Sequence, residues 1–138
     1  MNETFTIESL SARLGDIATE VPELMLVVLF GSTVRGRASA RSDVDVAVLA
    51  DGAADLDAVY MALAPRLRAT RLDLVDLAHA GPLLHFEVAR HGRLLFERSP
   101  GIFRQFQSLA FRRYADTKRL RDAQQRAIQV FLDRERIT

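Results

Sequence analysis

Asp43 and Asp45 stand two residues apart at the start of the aliphatic run Val44 to Leu49, in a setting where aspartate is normally avoided. In a strand the side chains of residues i and i+2 share a face, so these two carboxylates project side by side while Val44 and Val46 turn toward a core. Adjacent carboxylates repel each other unless a cation sits between them. A hard divalent cation such as Mg²⁺ relieves that repulsion, because it takes oxygen ligands and bridges carboxylates to phosphate oxygens. Twelve residues upstream a second apolar run, Leu24 to Phe30, ends in Gly31 and Ser32. A glycine and a serine directly after a buried strand offer unpaired backbone N–H groups and a hydroxyl, which suits an anion. A phosphate cradle beside paired carboxylates describes a site for a nucleoside triphosphate and its metal, and two metals would permit in-line phosphoryl or nucleotidyl displacement. Gly-Ser and Asp-x-Asp each recur by chance; their joint occurrence, each attached to a buried strand, carries the reading.

A third carboxylate is offered by the segment RLDLVDLA, residues 71–78, whose alternation predicts a strand. Asp73 falls on the face of Val75, and Asp76 on the face of Leu72 and Leu74. Asp73 is preferred because it lies inside the strand, where an unpaired carboxylate costs more and a metal is wanted; Asp76 stays as the alternative. Arg35, Arg37 and Arg41 are of a type that could meet phosphates, yet the chain uses arginine throughout and has a single lysine, Lys118, so most of these are read as surface residues. His79, His85 and His91 lack metal-ligand spacing and are read as ordinary polar residues.

The elements that position these residues follow from periodicity. Ile7, Leu10, Leu14 and Ile17 predict an amphipathic helix over 7–19 with Thr6 as N-cap, ended by Pro22. Leu24 to Phe30 and Val44 to Leu49 predict strands buried on both faces, with a turn or short helix over 33–40 between them. Asp51, Gly52 and Asp55 predict a turn and a helix start, followed by the stripe Leu56, Val59, Tyr60, Leu63 and Leu67. After the strand at 71–78 a helix is expected over 82–90, a turn at Gly92 and an edge strand over Leu94 to Phe96. Beyond Pro100 the pattern is helical to the end, in two segments with a break near Tyr114 to Thr117. The stripe Phe103, Phe106 and Ala110 reads as packing rather than as a cofactor pocket.

Length and charge set the outer bounds. A chain of 138 residues, 49% hydrophobic and 27% charged, predicts one domain with one core: a body over 1–98 and C-terminal helices over 101–136. The formal charge of +1 gives no global bias toward nucleic acid, and no direct nucleic-acid binding is expected. It conceals an asymmetry: residues 1–100 carry 10 basic and 14 acidic side chains, residues 101–138 carry 9 and 4, so the C-terminal part is the basic end. The absence of cysteine excludes disulfides, thiolate metal sites and a cysteine nucleophile. The opening MNETFTIESL has no basic n-region, so no signal peptide is expected, and no membrane span is expected either; the reading is a cytoplasmic protein.

The stretch GSTVRGRASARSDVD resembles the signature of DNA polymerase beta-type nucleotidyltransferases: Gly-Ser, ten residues, then Asp-x-Asp, here Gly31, Ser32, Asp43 and Asp45. Within that superfamily the chain is most similar to the minimal nucleotidyltransferases, antitoxins paired with HEPN-domain toxins. The resemblance implies an α/β fold in which a small mixed sheet is flanked by helices. It implies Mg²⁺, two ions in the full site, with ATP as substrate, and transfer of AMP to a tyrosine of a HEPN toxin encoded by a neighbouring gene, in a hetero-oligomer. The site it implies has Asp43, Asp45 and Asp73 as catalytic metal ligands and Gly31, Ser32, Ser42 and Arg35 around the nucleotide. The large accessory domain that holds the acceptor in polymerases and drug-modifying relatives is missing, so the acceptor must be held by this small domain or by a partner. Two other readings stay open: an antitoxin that masks its partner without catalysis, and a transferase acting on a small molecule of the aminoglycoside type. Keeping carboxylates whose repulsion costs stability favours catalysis over masking.

Overall fold

The computed structural model of the protein describes residues 6–31, 43–52 and 54–137. Helix α1 (Ile7–Arg13) opens with the expected cap: the Thr6 side chain accepts from Ser9 N–H at 3.1 Å while the Ser9 hydroxyl returns to Thr6 N–H at 3.2 Å. The helix expected over 7–19 is split. Its chain turns at Leu14, with Gly15 next, and resumes as the single turn α2 (Ile17–Glu20). The apolar positions are spared by the split, for Leu10, Leu14 and Ile17 are all fully buried.

Four strands form one sheet in the order β3-β2-β1-β4: β1 (Leu24–Phe30), β2 (Asp43–Ala50), β3 (Arg71–Asp76) and β4 (Arg93–Glu97). β1 is antiparallel to both β2 and β4, whereas β2 and β3 run parallel, so the sheet is mixed as expected. A parallel pair needs a crossover, and α3 (Leu56–Leu67) supplies it. Asp55 caps α3 by accepting from Asp57 N–H at 3.0 Å. Its buried stripe is Val59, Ala62, Leu63 and Leu67; Leu56 and Tyr60, expected in that stripe, are exposed. β3 stops at Asp76, short of the expected residue 78, because the Asp76 carboxylate accepts from Ala78 N–H at 3.1 Å and bends the chain into a turn.

Alternation along the central strands divides the core in two. Val27, Leu29, Val44, Val46, Val48 and Leu72 pack under α1, α2 and α3. Leu26, Val28, Ala47, Val75 and Leu77 pack under α4 (Pro82–His91) and α5 (Ile102–Ile137). A register shift between Leu24 and Leu26 returns Leu24 to the first face. Arg98 ties the edge strand to the start of β1, donating to Leu24 O at 2.9 Å and Val21 O at 3.1 Å.

α5 is one uninterrupted helix, and the break expected near Tyr114 to Thr117 is absent. Nothing in the sequence of 102–137 forces one, since it holds neither proline nor glycine. The Thr117 hydroxyl donates to Tyr114 O at 3.1 Å, and the Tyr114 ring stacks on Phe86 of α4 with centroids 3.8 Å apart. Glu97 caps the helix start by accepting from Gly101 N–H at 3.2 Å and Phe103 N–H at 2.9 Å. Phe103, Phe106 and Ala110 pack inward, as their stripe suggested.

Candidate active site

The sheet brings three of the chemically suggestive residues together at one corner. β1 delivers Phe30 opposite Asp45 of β2, and β3 places Asp73 opposite Asp45 on the other side. Parallel neighbours at matched register lie about 4.8 Å apart, and both aspartates hold the alternation that sends Ala47 and Val75 to the α4–α5 face. Asp45 is half-buried and Asp73 exposed, so the pair sits where the sheet surface opens to solvent.

Gly31 follows Phe30 directly and takes φ +81°, a left-handed conformation that glycine adopts without steric cost. A Cβ at this position would stand 2.5 Å from Asp45 Oδ2 and 3.2 Å from its carboxyl carbon. The glycine is therefore required twice over: by the turn leaving β1, and by the close approach of backbone to carboxylate. This contact joins the two halves of the motif, Gly-Ser and Asp-x-Asp, in space.

Asp43 opens β2 as the register partner of Arg71; its side chain lies outside the described residues. Ser32, Arg35, Arg37, Arg41 and Ser42 also lie outside them, as does the turn expected over 33–40. Among the described residues no group of three or more His, Asp or Glu is clustered to hold a metal ion. Arg71 was not singled out by sequence reasoning. Its signal appears only with strand pairing, which sets this exposed cation at the same corner, two residues before Asp73.

Asp76 is elsewhere. It pairs with Val48, three positions or about 10 Å further along the strands, and holds the opposite alternation to Asp73. Its carboxylate is already used by Ala78 N–H and by His79 Nδ1–H, which donates at 2.5 Å. His85 is a structural residue: its Nε2–H donates to Leu77 O at 2.6 Å and its ring meets the Phe106 ring edge-on. At the far end of the same sheet face a cavity of about 370 Å³ opens between Met25, Leu49, Leu77 and α5, with Leu109 and Arg113 at its wall.

The sequence family described as polymerase beta, nucleotidyltransferase matches residues 13–101, which span every strand of the sheet. A protein adenylyltransferase, MntA, of Aphanizomenon flos-aquae is 30% identical over 142 residues, covering 93% of this chain and 91% of the relative. Among solved structures, a toxin–antitoxin complex with AMP-PNP aligns with a TM-score of 0.66 at 28% identity, covering 90% of this chain and 98% of the matched one. A tri-AMPylated HEPN toxin of Shewanella oneidensis in complex with MNT antitoxin aligns with a TM-score of 0.64 at 25% identity, with coverage of 90% and 99%. The mixed four-stranded sheet, the long C-terminal helix and these matches agree: the chain belongs to the polymerase beta nucleotidyltransferase family.

Proposed function

We propose that this protein is an antitoxin adenylyltransferase that moves AMP from ATP to a tyrosine hydroxyl of a HEPN-domain toxin. The observation that carries the reading is the corner at which Gly31 packs on Asp45 while Asp73 stands in register beside it. A relative of nearly equal length named as a protein adenylyltransferase supports the reaction class, and an aligned complex holding a tri-AMPylated HEPN toxin supports the acceptor.

The donor set fits a hard divalent cation. Asp45 and Asp73 are carboxylates aligned on neighbouring strands at an open surface, and Asp43 precedes Asp45 by two residues in the same strand. These three would hold Mg²⁺, which when bound supplies positive charge against the triphosphate. The chain's own residues do the rest. Backbone N–H groups after Phe30, with the Ser32 hydroxyl, bind the phosphates; Ser42 and Arg35 complete the nucleotide contacts. Asp73, the more exposed carboxylate, takes the proton of the attacking tyrosine hydroxyl. That oxygen bonds to the α-phosphorus, the bond to the β-phosphate bridge breaks, and pyrophosphate leaves. No helix among the described residues is long and apolar enough to cross a membrane, which accords with a cytoplasmic setting where ATP and the partner meet.

Triphosphate and carboxylates carry the same sign, so ATP affinity measured by calorimetry should fall sharply when Mg²⁺ is chelated. Equal affinity with and without the metal would overturn the site as described.

A further inference from the structure

We propose that the strip of α5 marked by Leu109, Leu120 and Phe131 is a docking surface for one amphipathic helix of the acceptor protein, a helix with an apolar stripe and acidic flanks. The proposal rests on the reading above for the existence of an acceptor protein, and adds where it is held. The three residues are spaced by eleven, which is three turns of an α-helix, so they fall on one line running about 33 Å along α5. They are 42%, 59% and 61% exposed, a large apolar investment to leave in water. At one end the line begins on the wall of the cavity beside Leu49 and Leu77, so the strip continues from the body of the domain rather than standing apart from it.

The distal turns of α5 make the need for an occupant sharper. From Ala123 to Glu135 every residue is exposed, so none of these side chains is buried against the body of the domain. An isolated helix of this length is marginal in water, and Val130 and Leu132, exposed beside Phe131, add to the uncovered surface. The choice of occupant follows from charge. Residues 101–138 carry 9 basic and 4 acidic side chains, so a second copy of this chain laid along the strip would set like charges against each other. An acidic helix gains on both counts, covering the apolar line and meeting a segment of net positive charge. In this arrangement α5 grips the acceptor, and the Asp45 corner is left to receive its tyrosine.

The test uses the full chain with Leu120→Glu, Phe131→Glu and the double variant, each checked by circular dichroism, against the purified HEPN partner of the same operon. Both sites are exposed, so the fold should survive. Partner affinity by biolayer interferometry should weaken at least tenfold in the double variant, the wild-type on-rate should fall as salt rises, and ATP affinity should stay unchanged. Wild-type partner binding retained in the double variant overturns the proposal. So does a wild-type chain that forms its own dimer in sedimentation experiments and loses it in Phe131→Glu, because the strip then belongs to a second copy. If the double variant loses the partner but the wild type never adds AMP, the docking surface stands and the transferase reading fails instead.

Discussion

At the scale of single residues, the corner depends on a glycine that has no room to be anything else. Gly31→Ala would combine a left-handed backbone, costing about 1–2 kcal/mol for an L-residue, with a methyl group driven against the Asp45 carboxylate. Denaturant unfolding should show that loss, and transfer measured under conditions where the variant is fully folded should fall further, because Asp45 is displaced. The two candidates for the third carboxylate separate at the same scale. Asp73→Asn should abolish AMP transfer without loss of stability, since Asp73 is exposed and stands beside Asp45. Asp76→Asn should leave transfer nearly unchanged; a rate assay in which Asp76→Asn is the inactive variant would contradict the assignment. The sequence preferred Asp73 on the ground that a carboxylate inside a strand is costly to leave unpaired; Asp73 is instead exposed and Asp76 the less exposed of the two, and what sets Asp73 apart is its register beside Asp45. The role of Asp76 in the turn at Ala78 and His79 was not legible in the sequence. Arg71 was equally hidden, because register across β2 and β3 is a property of two segments and neither alone states it.

At the scale of elements, α2 and α3 are joined by a charge cluster with a defined pH response. Arg66 Nε donates to Asp16 Oδ1 at 3.1 Å, and its Nη1 pairs with Glu20 Oε2 at 2.6 Å. The hydrogen bond from Arg66, then its charge, hold the Asp16 carboxyl below its ordinary value of 3.8. A carboxyl lowered on folding contributes stability above its ordinary value and loses it as pH falls through the lowered one. Asp16→Asn should therefore unfold at slightly lower temperature than the wild type at neutral pH, by little because the pair is exposed, and the gap should close below pH 3.8. A gap of equal size at every pH would mean that Asp16 acts by geometry alone. Elements themselves were largely legible: β1 and α4 lie where apolar runs and turn residues set them, and the Thr6 cap forms as its type suggests. The misreadings share a cause. The split at Gly15 leaves Leu10, Leu14 and Ile17 on the core, so an apolar stripe alone did not reveal it. α5 runs on past Tyr114, where nothing in 102–137 breaks a helix and the Tyr114 ring stacks on Phe86 of α4.

At the scale of the whole molecule, the sheet positions the chemistry and α5 extends beyond it. The sheet sets Gly31, Asp45 and Asp73 at one corner; the long helix leaves that body with an apolar, basic strip exposed. Binding and transfer should thus be separable in one polypeptide. The measurement that tests this most directly is to mix wild type or Asp45→Asn with the HEPN partner, ATP and Mg²⁺, read added AMP on the partner by intact mass spectrometry, and assay its toxicity. Asp45→Asn keeps the side chain's volume and removes an anionic ligand, so transfer should drop by about 10²–10³-fold or more while partner binding persists. Wild type should add AMP and silence the toxin, whereas the variant should still bind the toxin, add no AMP and leave it active. A variant that silences the toxin as well as the wild type does, with no AMP added, would contradict it and make masking the mechanism.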